Sequence, residues 1–306
     1  MALKFGISIG NVRQPIVELA PRIERLGFDS LWTGEHLVWR TPTSDAMLVI
    51  TAAAAVTRRI RVGTAILLLP LKHPTLVAKA VTTIDHLSGG RFNFGIGVGG
   101  ENPREFEAVG VPVKERGPRA NESLEIMKRL WTEDHVTFQG RFFRLADVTL
   151  EPRPVQKPHP PVLVAGRRKA LPRVARYADG WMPYMYSPEM YREDWKRIEE
   201  LAGQGGRDPA RIERTLFIFT TIDSSYESAM RLAAAALGQR YAQDFSEMVK
   251  KYAVFGTPQQ CAERLDQYRQ AGAEHFILSC SGPPEKATLY PEIIAREIVP
   301  LLRRSR

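Results

Sequence analysis

Residues 61–101 read RVGTAILLLPLKHPTLVAKAVTTIDHLSGGRFNFGIGVGGE, and this stretch decides the fold. It contains a strand, a helix and a second strand in close succession. In the second strand, bulky apolar residues alternate with small ones, namely Phe92, Phe94, Ile96 and Val98 against Asn93, Gly95, Gly97 and Gly99. Successive side chains of a strand point to opposite faces, so the bulky face can pack outward against helices while the bare face leaves space inside a parallel barrel. Either a flat ring that approaches the glycines or simple relief of crowding would explain them.

The rest of the chain continues this alternation of strand and helix. The predicted strands are Lys4–Ile9, Ser30–Thr33, Ile60–Leu67, Phe92–Val98, Val162–Ala165, a short one around Trp181, Leu216–Ile222 and Phe276–Ser279. The rhythm breaks between residues 132 and 161, where Val136–Phe138 and Phe142–Leu145 predict a small hairpin and the proline-rich run after it predicts extended chain. Without an internal repeat or a linker, the pattern indicates a single (β/α)8 barrel, one domain over residues 1–306, with a small insertion.

A doubly wound open sheet is the alternative α/β architecture. That fold needs a glycine-rich turn after its first strand, where a phosphate would lie on the following helix. Here residues 8–15 read SIGNVRQP, with one glycine. The GIGVGG run at residues 95–100 falls largely within a strand and lacks the lysine of a P-loop. Neither nucleotide-binding motif is present.

Composition and charge exclude several classes of protein. The chain of 306 residues is 44% hydrophobic, has no apolar stretch of about 20 residues that could span a membrane, and begins with a strand pattern rather than a signal peptide. Cys261 and Cys280 provide neither a disulfide framework nor a metal cluster, so a cytoplasmic enzyme is the simplest class. The net charge of +9 is scattered over helices without a nucleic-acid-binding motif. An anionic, phosphate-bearing small molecule is therefore the favoured partner.

The carboxyl ends of barrel strands carry the chemistry in this fold. After the second strand come Glu35, His36 and Trp39, and the imidazole of His36 suits proton transfer near neutral pH. Glu101 follows the fourth strand, where it could act as a general acid or cap a helix that starts near Pro103. Each of these residues could also be an ordinary loop residue.

A second group of candidates follows the fifth and sixth strands. The turn Gly166-Arg167-Arg168-Lys169 joins a strand to a helix, so its backbone N–H groups and cationic side chains predict an anion site. Trp181 lies in the next predicted strand. The arginines of the turn could equally lie in solvent.

Five segments in order resemble the luciferase-like flavin and deazaflavin oxidoreductases. They are GFDSLWTGEH (27–36), DHLSGGRFNFGIGVGG (85–100), ERGPRANESLEIMKRLWTE (115–133), PRPVQKPHPPVLVAG (152–166) and ADGW (178–181). The resemblance implies a flat cofactor ring over a bulge at Ala65 and Ile66, which many relatives form with a non-proline cis peptide, and beside Gly97 and Gly99. It places the cofactor phosphate at the 166–169 turn, where relatives have small residues instead of two arginines.

The resemblance also implies a reaction. His36 matches the histidine beside the reactive ring in deazaflavin-dependent members, and Glu101 matches a glutamate that protonates the ring in a sugar-phosphate dehydrogenase of the family. We expect an oxidoreductase that transfers hydride between coenzyme F420 and a small organic substrate, because the acidic tail of F420 suits the basic charge. An FMN-dependent monooxygenase supplied by a separate flavin reductase fits the same motifs. The family's habit predicts a homodimer.

Two further classes of function differ in kind. A barrel of this type could bind a flavin without catalysing a reaction, since fold does not fix function. A metal-dependent hydrolase would need several histidines and carboxylates together at the strand ends, and the sequence does not offer them there. No metal site is therefore predicted, and the substrate is not named by the sequence.

Overall fold

Parallel strands form a closed barrel, and the computed structural model describes residues 3–10 and 15–304 of it. Residues 11–14, in the first strand–helix turn, lie outside the described residues. The strands are β1 Lys4–Ile9, β2 Ser30–Thr33, β3 Arg61–Thr64, β4 Leu67–Leu68, β5 Phe92–Gly97, β6 Val136–Gln139, β7 Arg144–Val148, β8 Val162–Ala165, β9 Gly180–Met182, β10 Glu213–Ile222, β11 Val254–Gly256 and β12 His275–Cys280.

The barrel closes in the order β1, β2, β3, β5, β8, β9, β10, β12 and back to β1, with every pairing parallel. The predicted (β/α)8 architecture is confirmed. Strand β4 continues β3 along β5, and the short β11 pairs with the outer end of β10. Strands β6 and β7 form the predicted antiparallel hairpin, although β7 begins at Arg144 rather than at Phe142.

Helices alternate with the strands and cover the barrel. They are α1 Ile16–Arg25, α2 Ala46–Val56, α3 Pro74–Ser88, α4 Pro103–Glu107, α5 Arg116–Thr132, α6 Leu171–Tyr177, α7 Pro188–Gln204, α8 Tyr226–Tyr241, α9 Ser246–Tyr252, α10 Pro258–Gln270, α11 Pro284–Ala287, α12 Tyr290–Ile293 and α13 Val299–Arg304, with a wide helical turn at Ile294–Ile298 between the last two. None of these helices is long and apolar enough to cross a membrane.

Local sequence explains where the helices begin and end. The Asp45 carboxylate accepts a hydrogen bond from Leu48 N and caps α2, and Gly89 ends α3 in the left-handed conformation at φ 63°. Thr257 and Gln260 form a capping box at the start of α10. These signals lie within short stretches of sequence and do not depend on closure of the barrel.

Apolar side chains pack in two layers. Between the barrel wall and the helices lies the larger core, which includes Phe5, Phe92, Phe94 and Trp131. A smaller cluster fills the barrel interior with Trp32, Leu163, Met182 and Ile277, all buried. The outward packing predicted for the bulky face of β5 is confirmed. Because side chains fill the interior, the open space lies above it, at the carboxyl ends of the strands.

Candidate active site

A cavity of about 430 Å³ opens at the carboxyl ends of the barrel strands. Most of the site residues predicted from the sequence line it, namely Glu35, His36, Trp39, Ala65, Ile66, Gly97, Gly99, Glu101, Gly166 and Arg167. Arg168, Lys169 and Trp181 do not line it. The cavity thus gathers residues that follow the second, third, fourth and fifth barrel strands into one site.

A bulge between β3 and β4 forms part of the cavity floor. Gly63 pairs with Asn93 and Leu67 pairs with Ile96, so four steps along β3–β4 match three along β5. The predicted single strand Ile60–Leu67 is therefore wrong at this point. The extra residue falls at Ala65-Ile66, whose peptide bond is cis, as the resemblance implied.

The bare face of β5 accommodates this bulge. A Cβ atom on Gly95 would collide with the Thr64 carbonyl oxygen, and one on Gly97 would lie 2.7 Å from Ile66 Cδ1. Thr64 Oγ1 also donates to Gly95 O at 2.7 Å and accepts from Gly95 N at 3.0 Å. The absence of a side chain at these glycines is therefore required for the close contact between the strands. Ile66 packs against Gly97 and both line the cavity, so a flat ligand there would contact the bulge.

Glu35 braces the bulge from the other side. Its backbone N–H donates to Ile66 O at 3.2 Å, and its carboxylate accepts from Leu68 N at 3.0 Å. Lys72 Nζ lies 3.5 Å from the same carboxylate. Burial raises the pKa of Glu35, and the charge of Lys72 opposes that rise. Glu35 therefore acts on the shape of the cavity floor as well as lining it.

His36 is held by a carboxylate that sequence analysis missed. Its Nδ1 lies 3.2 Å and 3.3 Å from the two oxygens of Glu105, a buried residue of α4. Glu105 Oε1 also accepts from Leu37 N at 2.7 Å. Because the carboxylate accepts here, Nδ1 donates, and Nε2 is the ring nitrogen without a hydrogen bond to the described part of the chain.

Trp39 completes the arrangement around His36. The two rings stack with centroids 3.9 Å apart and planes at 14°. On its other side Trp39 meets the edge of Tyr241, at 6.3 Å between centroids. The stack and the Glu105 bond together fix the imidazole in one orientation. A fixed imidazole with a free nitrogen can donate a proton to a bound ligand or accept one from it.

Glu101 also has a partner that sequence analysis did not assign. Tyr184, which follows β9, donates its hydroxyl hydrogen to Glu101 Oε1 at 2.6 Å. Burial, and after it the Glu101 carboxylate, raise the pKa of Tyr184. The phenol therefore keeps its proton at neutral pH and the hydrogen bond is maintained. Both residues line the cavity and lie on different strand ends.

The three cationic residues of the turn after β8 have different surroundings. Arg167 lines the cavity, and its guanidinium group makes no hydrogen bond or ion pair with any residue in the described ranges. Arg168 instead lies 3.5 Å from Glu193 and 3.4 Å from Asp194, both on α7, and Lys169 is exposed. Trp181 is buried behind the turn and donates its indole N–H to Gly166 O at 3.2 Å. It supports the turn from outside the cavity.

Among the described residues, the site has no group of side chains that could bind a metal ion. Within residues 3–10 and 15–304, no three side chains of His, Cys, Asp or Glu come together in a way that could hold a metal ion. Both cysteines are free thiols, Cys261 buried and Cys280 partly buried. The polar groups of the cavity are instead hydrogen-bonding residues and guanidinium groups.

Comparison with known proteins identifies the class of enzyme. Residues 6–275 match the luciferase-like monooxygenase family, and the chain belongs to it. It is therefore a luciferase-like oxidoreductase of the flavin and deazaflavin group.

Particular relatives carry different activities. An F420-dependent glucose-6-phosphate dehydrogenase of Intrasporangium calvum is 29% identical over 94% of each chain. The monooxygenase RslO1 of Streptomyces bottropensis has a solved structure that superposes with a TM-score of 0.84 at 26% identity, over 97% of this chain and 99% of that one. An F420-dependent secondary alcohol dehydrogenase superposes with a TM-score of 0.87 at 23% identity, over 99% and 100% of the chains, which shows the shared fold.

Proposed function

We propose that this protein is an F420-dependent oxidoreductase that transfers hydride between the deazaflavin and a small organic substrate. The observation that carries the proposal is the pair of guanidinium groups of Arg116 and Arg167 in the cavity wall. Neither forms an ion pair with a carboxylate of the described residues; Arg116 donates only to Val113 O, at 2.9 Å. Arg116 lies against Gly100, just after β5, and Arg167 follows the neighbouring β8. Two uncompensated cations on adjacent strand ends suit a ligand with several negative charges.

The residues present fit such a cofactor. The bulge at Ala65 and Ile66 offers an apolar surface for a ring, and the turn at Gly166 and Arg167 offers donors for a phosphate. When bound, F420 supplies hydride chemistry, and the protein supplies binding, orientation and electrostatics. His36 holds or moves a proton at Nε2, because Glu105 occupies its Nδ1.

Glu101 and Tyr184, which follow β5 and β9, form a second hydrogen-bonded pair that could take part in proton transfer. Their 2.6 Å hydrogen bond holds the carboxylate, which is otherwise exposed, at the cavity wall. We assign Glu101 the role of a second acid–base group and Tyr184 the role of a positioning residue for it. The F420-dependent relative, which matches almost the whole chain, supports the choice of cofactor.

The second candidate is an FMN-dependent monooxygenase that receives reduced flavin from a separate reductase. The similarity to the monooxygenase RslO1 favours it, since that relative matches the chain over nearly its whole length. The same cavity would then hold a smaller tail, and Arg116 would be left without an anion. A flavin-binding protein without catalysis is the third reading, and turnover measurements separate it from the other two.

Paired titrations of cofactor-free protein with F420 and FMN, followed by fluorescence, test the proposal. We expect F420 to bind at least about tenfold more tightly, a difference of about 1.4 kcal/mol. Arg167→Gln should weaken F420 binding by about the same factor. Arg168→Gln is the matched control, because that neighbouring arginine pairs with Glu193 and Asp194, and it should leave F420 affinity within about twofold. Tighter binding of FMN would overturn the proposal in favour of the monooxygenase.

A homodimer remains a prediction. Exposed apolar side chains lie on three neighbouring helices, with Val17 on α1, Leu48 on α2 and Leu76 on α3. Leu48 and Leu76 are each 72% exposed, and an apolar patch shared by neighbouring helices is typical of an interaction surface. We propose that a second copy of the chain covers this face. All of the described residues that line the cavity belong to one chain, so the arrangement of the site does not depend on the dimer contact.

A further inference from the structure

Arg240, at the end of α8, is a cation in the cavity wall that the proposed cofactor does not use. Its guanidinium lies over the ring of Phe219, with the Cζ atom 5.3 Å from the ring centroid, and Nη2 is close to Gly10. Phe219 and Gly10 both line the cavity, so the charged end of Arg240 faces the cavity. Within the described ranges, the guanidinium group of Arg240 forms no hydrogen bond and no ion pair.

An unpaired, partly buried guanidinium group is costly. Burial lowers the pKa of Arg240, yet arginine stays charged at neutral pH because its ordinary pKa is so high. A buried charge without a partner destabilises the folded state unless a ligand supplies the counter-charge. Phe219 offsets part of this cost by a cation–π contact. The remaining charge is available to an anion inside the cavity.

The position of Arg240 separates it from the proposed cofactor phosphate. Gly10 follows β1 and Phe219 lies on β10, whereas Gly166 and Arg167 follow β8. In the closed barrel, β9 lies between β8 and β10, and β12 lies between β10 and β1. Arg240 is therefore on the side of the cavity away from the bulge and from the β5–β8 edge, where the ring and the tail are proposed to lie.

The surrounding wall has the character of a substrate pocket. Phe217 and Phe219 form an edge-to-face pair with centroids 5.5 Å apart. Ser8 and Ser279 are neighbours in the β1–β12 register and line the same part of the cavity. Aromatic walls with two hydroxyl groups and one cation are suited to a small organic molecule with an apolar body and one acidic group.

We propose that the substrate carries a carboxylate or a phosphate group that Arg240 binds between the ends of β1 and β10. This inference rests on the proposed function, because it assigns the substrate half of the same cavity. It does not depend on which cofactor binds, since F420 and FMN would both occupy the bulge side. The bidentate guanidinium fork recognises either anion.

Calorimetric titration of cofactor-free protein with benzoate, phenyl phosphate and the uncharged benzamide tests this directly. The anion that resembles the substrate group should bind at least about tenfold more tightly than benzamide. Arg240→Gln should remove that advantage without changing benzamide binding, and Arg240→Lys should retain most of it. Comparison of benzoate with phenyl phosphate distinguishes a carboxylate from a phosphate substrate.

Two matched variants control for charge and for the cofactor site. Arg231→Gln changes an exposed arginine on the same helix and should leave anion binding within about threefold. Arg167→Gln should also leave it unchanged. Equal anion affinity in the parent protein and Arg240→Gln, no preference for the anions over benzamide in the parent protein, or a loss confined to Arg167→Gln would each overturn the proposal.

Cofactor titrations of the same variants separate this inference from the proposed function. F420 and FMN should bind Arg240→Gln within about threefold of the parent protein. A strong loss there would mean that Arg240 serves the cofactor, and the substrate assignment would fall. If neither cofactor bound the parent protein, the proposed function would fail while the anion titration would still decide the role of Arg240. Thermal unfolding of each variant checks that the fold is intact.

Discussion

Glu105 sets the state of His36 through one pair of contacts. It is fully buried, its two oxygens lie 3.2 Å and 3.3 Å from His36 Nδ1, and it also accepts from the backbone of Leu37. The carboxylate therefore orients both the ring and the loop that carries it. Proton transfer depends on sub-ångström placement of the donor atom. A residue outside the cavity thereby fixes the orientation of the His36 ring inside it.

Glu105→Gln tests this positioning role. The amide keeps the size of the side chain and can still accept from Leu37 N, but it lacks the charge and the second acceptor oxygen. We expect kcat for hydride transfer to fall by about tenfold or more, because Nε2 is no longer fixed for proton transfer. Cofactor affinity should change by less than about threefold, because Glu105 does not line the cavity. Steady-state kinetics and fluorescence titration measure the two quantities.

The matched control for this variant is Glu107→Gln on the same short helix. Glu107 is exposed and makes no contact with His36, so its loss should leave kcat unchanged. A merely structural role for Glu105 would lower the melting temperature without a specific loss of kcat. Equal kcat in Glu105→Gln and Glu107→Gln would contradict the positioning role.

At the residue scale, the sequence predicts which residues lie at the site better than it predicts their hydrogen-bond and ion-pair partners. His36 and Glu101 could be selected because they follow predicted strands, and both line the cavity. Glu105 could not, because a glutamate in a polar segment is usually exposed, and its burial depends on packing between α4 and the loop after β2. The same holds for Arg167 and Arg168, since only the structure shows that α7 carboxylates hold the second of them.

At the scale of elements, the conformation of the bulge after β3 and the small residues of β5 depend on each other. The alternation of β5 was readable in the sequence, and so was its outward packing. The bulge was not readable, because the run Ile60–Leu67 looks like one uninterrupted strand and its break is set by a neighbour about thirty residues later. The short hairpin was shifted for a similar reason, since pairing of Gln139 with Arg144 fixes its register.

Gly95→Ala should disrupt this pair of strands severely. The added Cβ would meet the Thr64 carbonyl oxygen, which is backbone, and would lie 2.8 Å from Met182 Cε on the other side. Neither strand can move away without breaking the barrel pairing. We expect the free energy of unfolding to fall by about 3 kcal/mol or more. Chemical denaturation, monitored by tryptophan fluorescence, measures it.

Gly203→Ala provides a control of opposite sign. Gly203 lies in α7, and a Cβ there would meet nothing within 4 Å, so alanine costs no clash and improves helix propensity. The free energy of unfolding should rise by about 0.5 kcal/mol. If Gly95→Ala were as stable as Gly203→Ala, the close packing of β5 against the bulge would be incorrect.

At the scale of the whole molecule, the closed barrel turns scattered residues into one site. Residues from the ends of β1, β2, β5, β8 and β10 reach the same cavity although they are far apart along the chain. The net charge of +9 could be read from composition, and it indicated an anionic partner. Composition could not show that the guanidinium groups of Arg116, Arg167 and Arg240 line the cavity without an ion-pair partner among the described residues, while Arg168 pairs with carboxylates of α7.

This distribution of charge predicts how salt affects cofactor binding. The acidic tail of F420 would interact with Arg116, with Arg167 and with the overall positive field, and dissolved ions screen these interactions. Raising the salt from about 50 mM to about 500 mM should weaken F420 binding by about tenfold, while the same deazaflavin without phosphate and tail should change by less than about twofold. Fluorescence titrations at several salt concentrations measure both slopes.

Arg167→Gln should flatten the F420 slope, because one of the screened contacts is already absent, whereas Arg168→Gln should not. Equal slopes for the two ligands would mean that the positive charge serves solubility, and that only the ring is recognised.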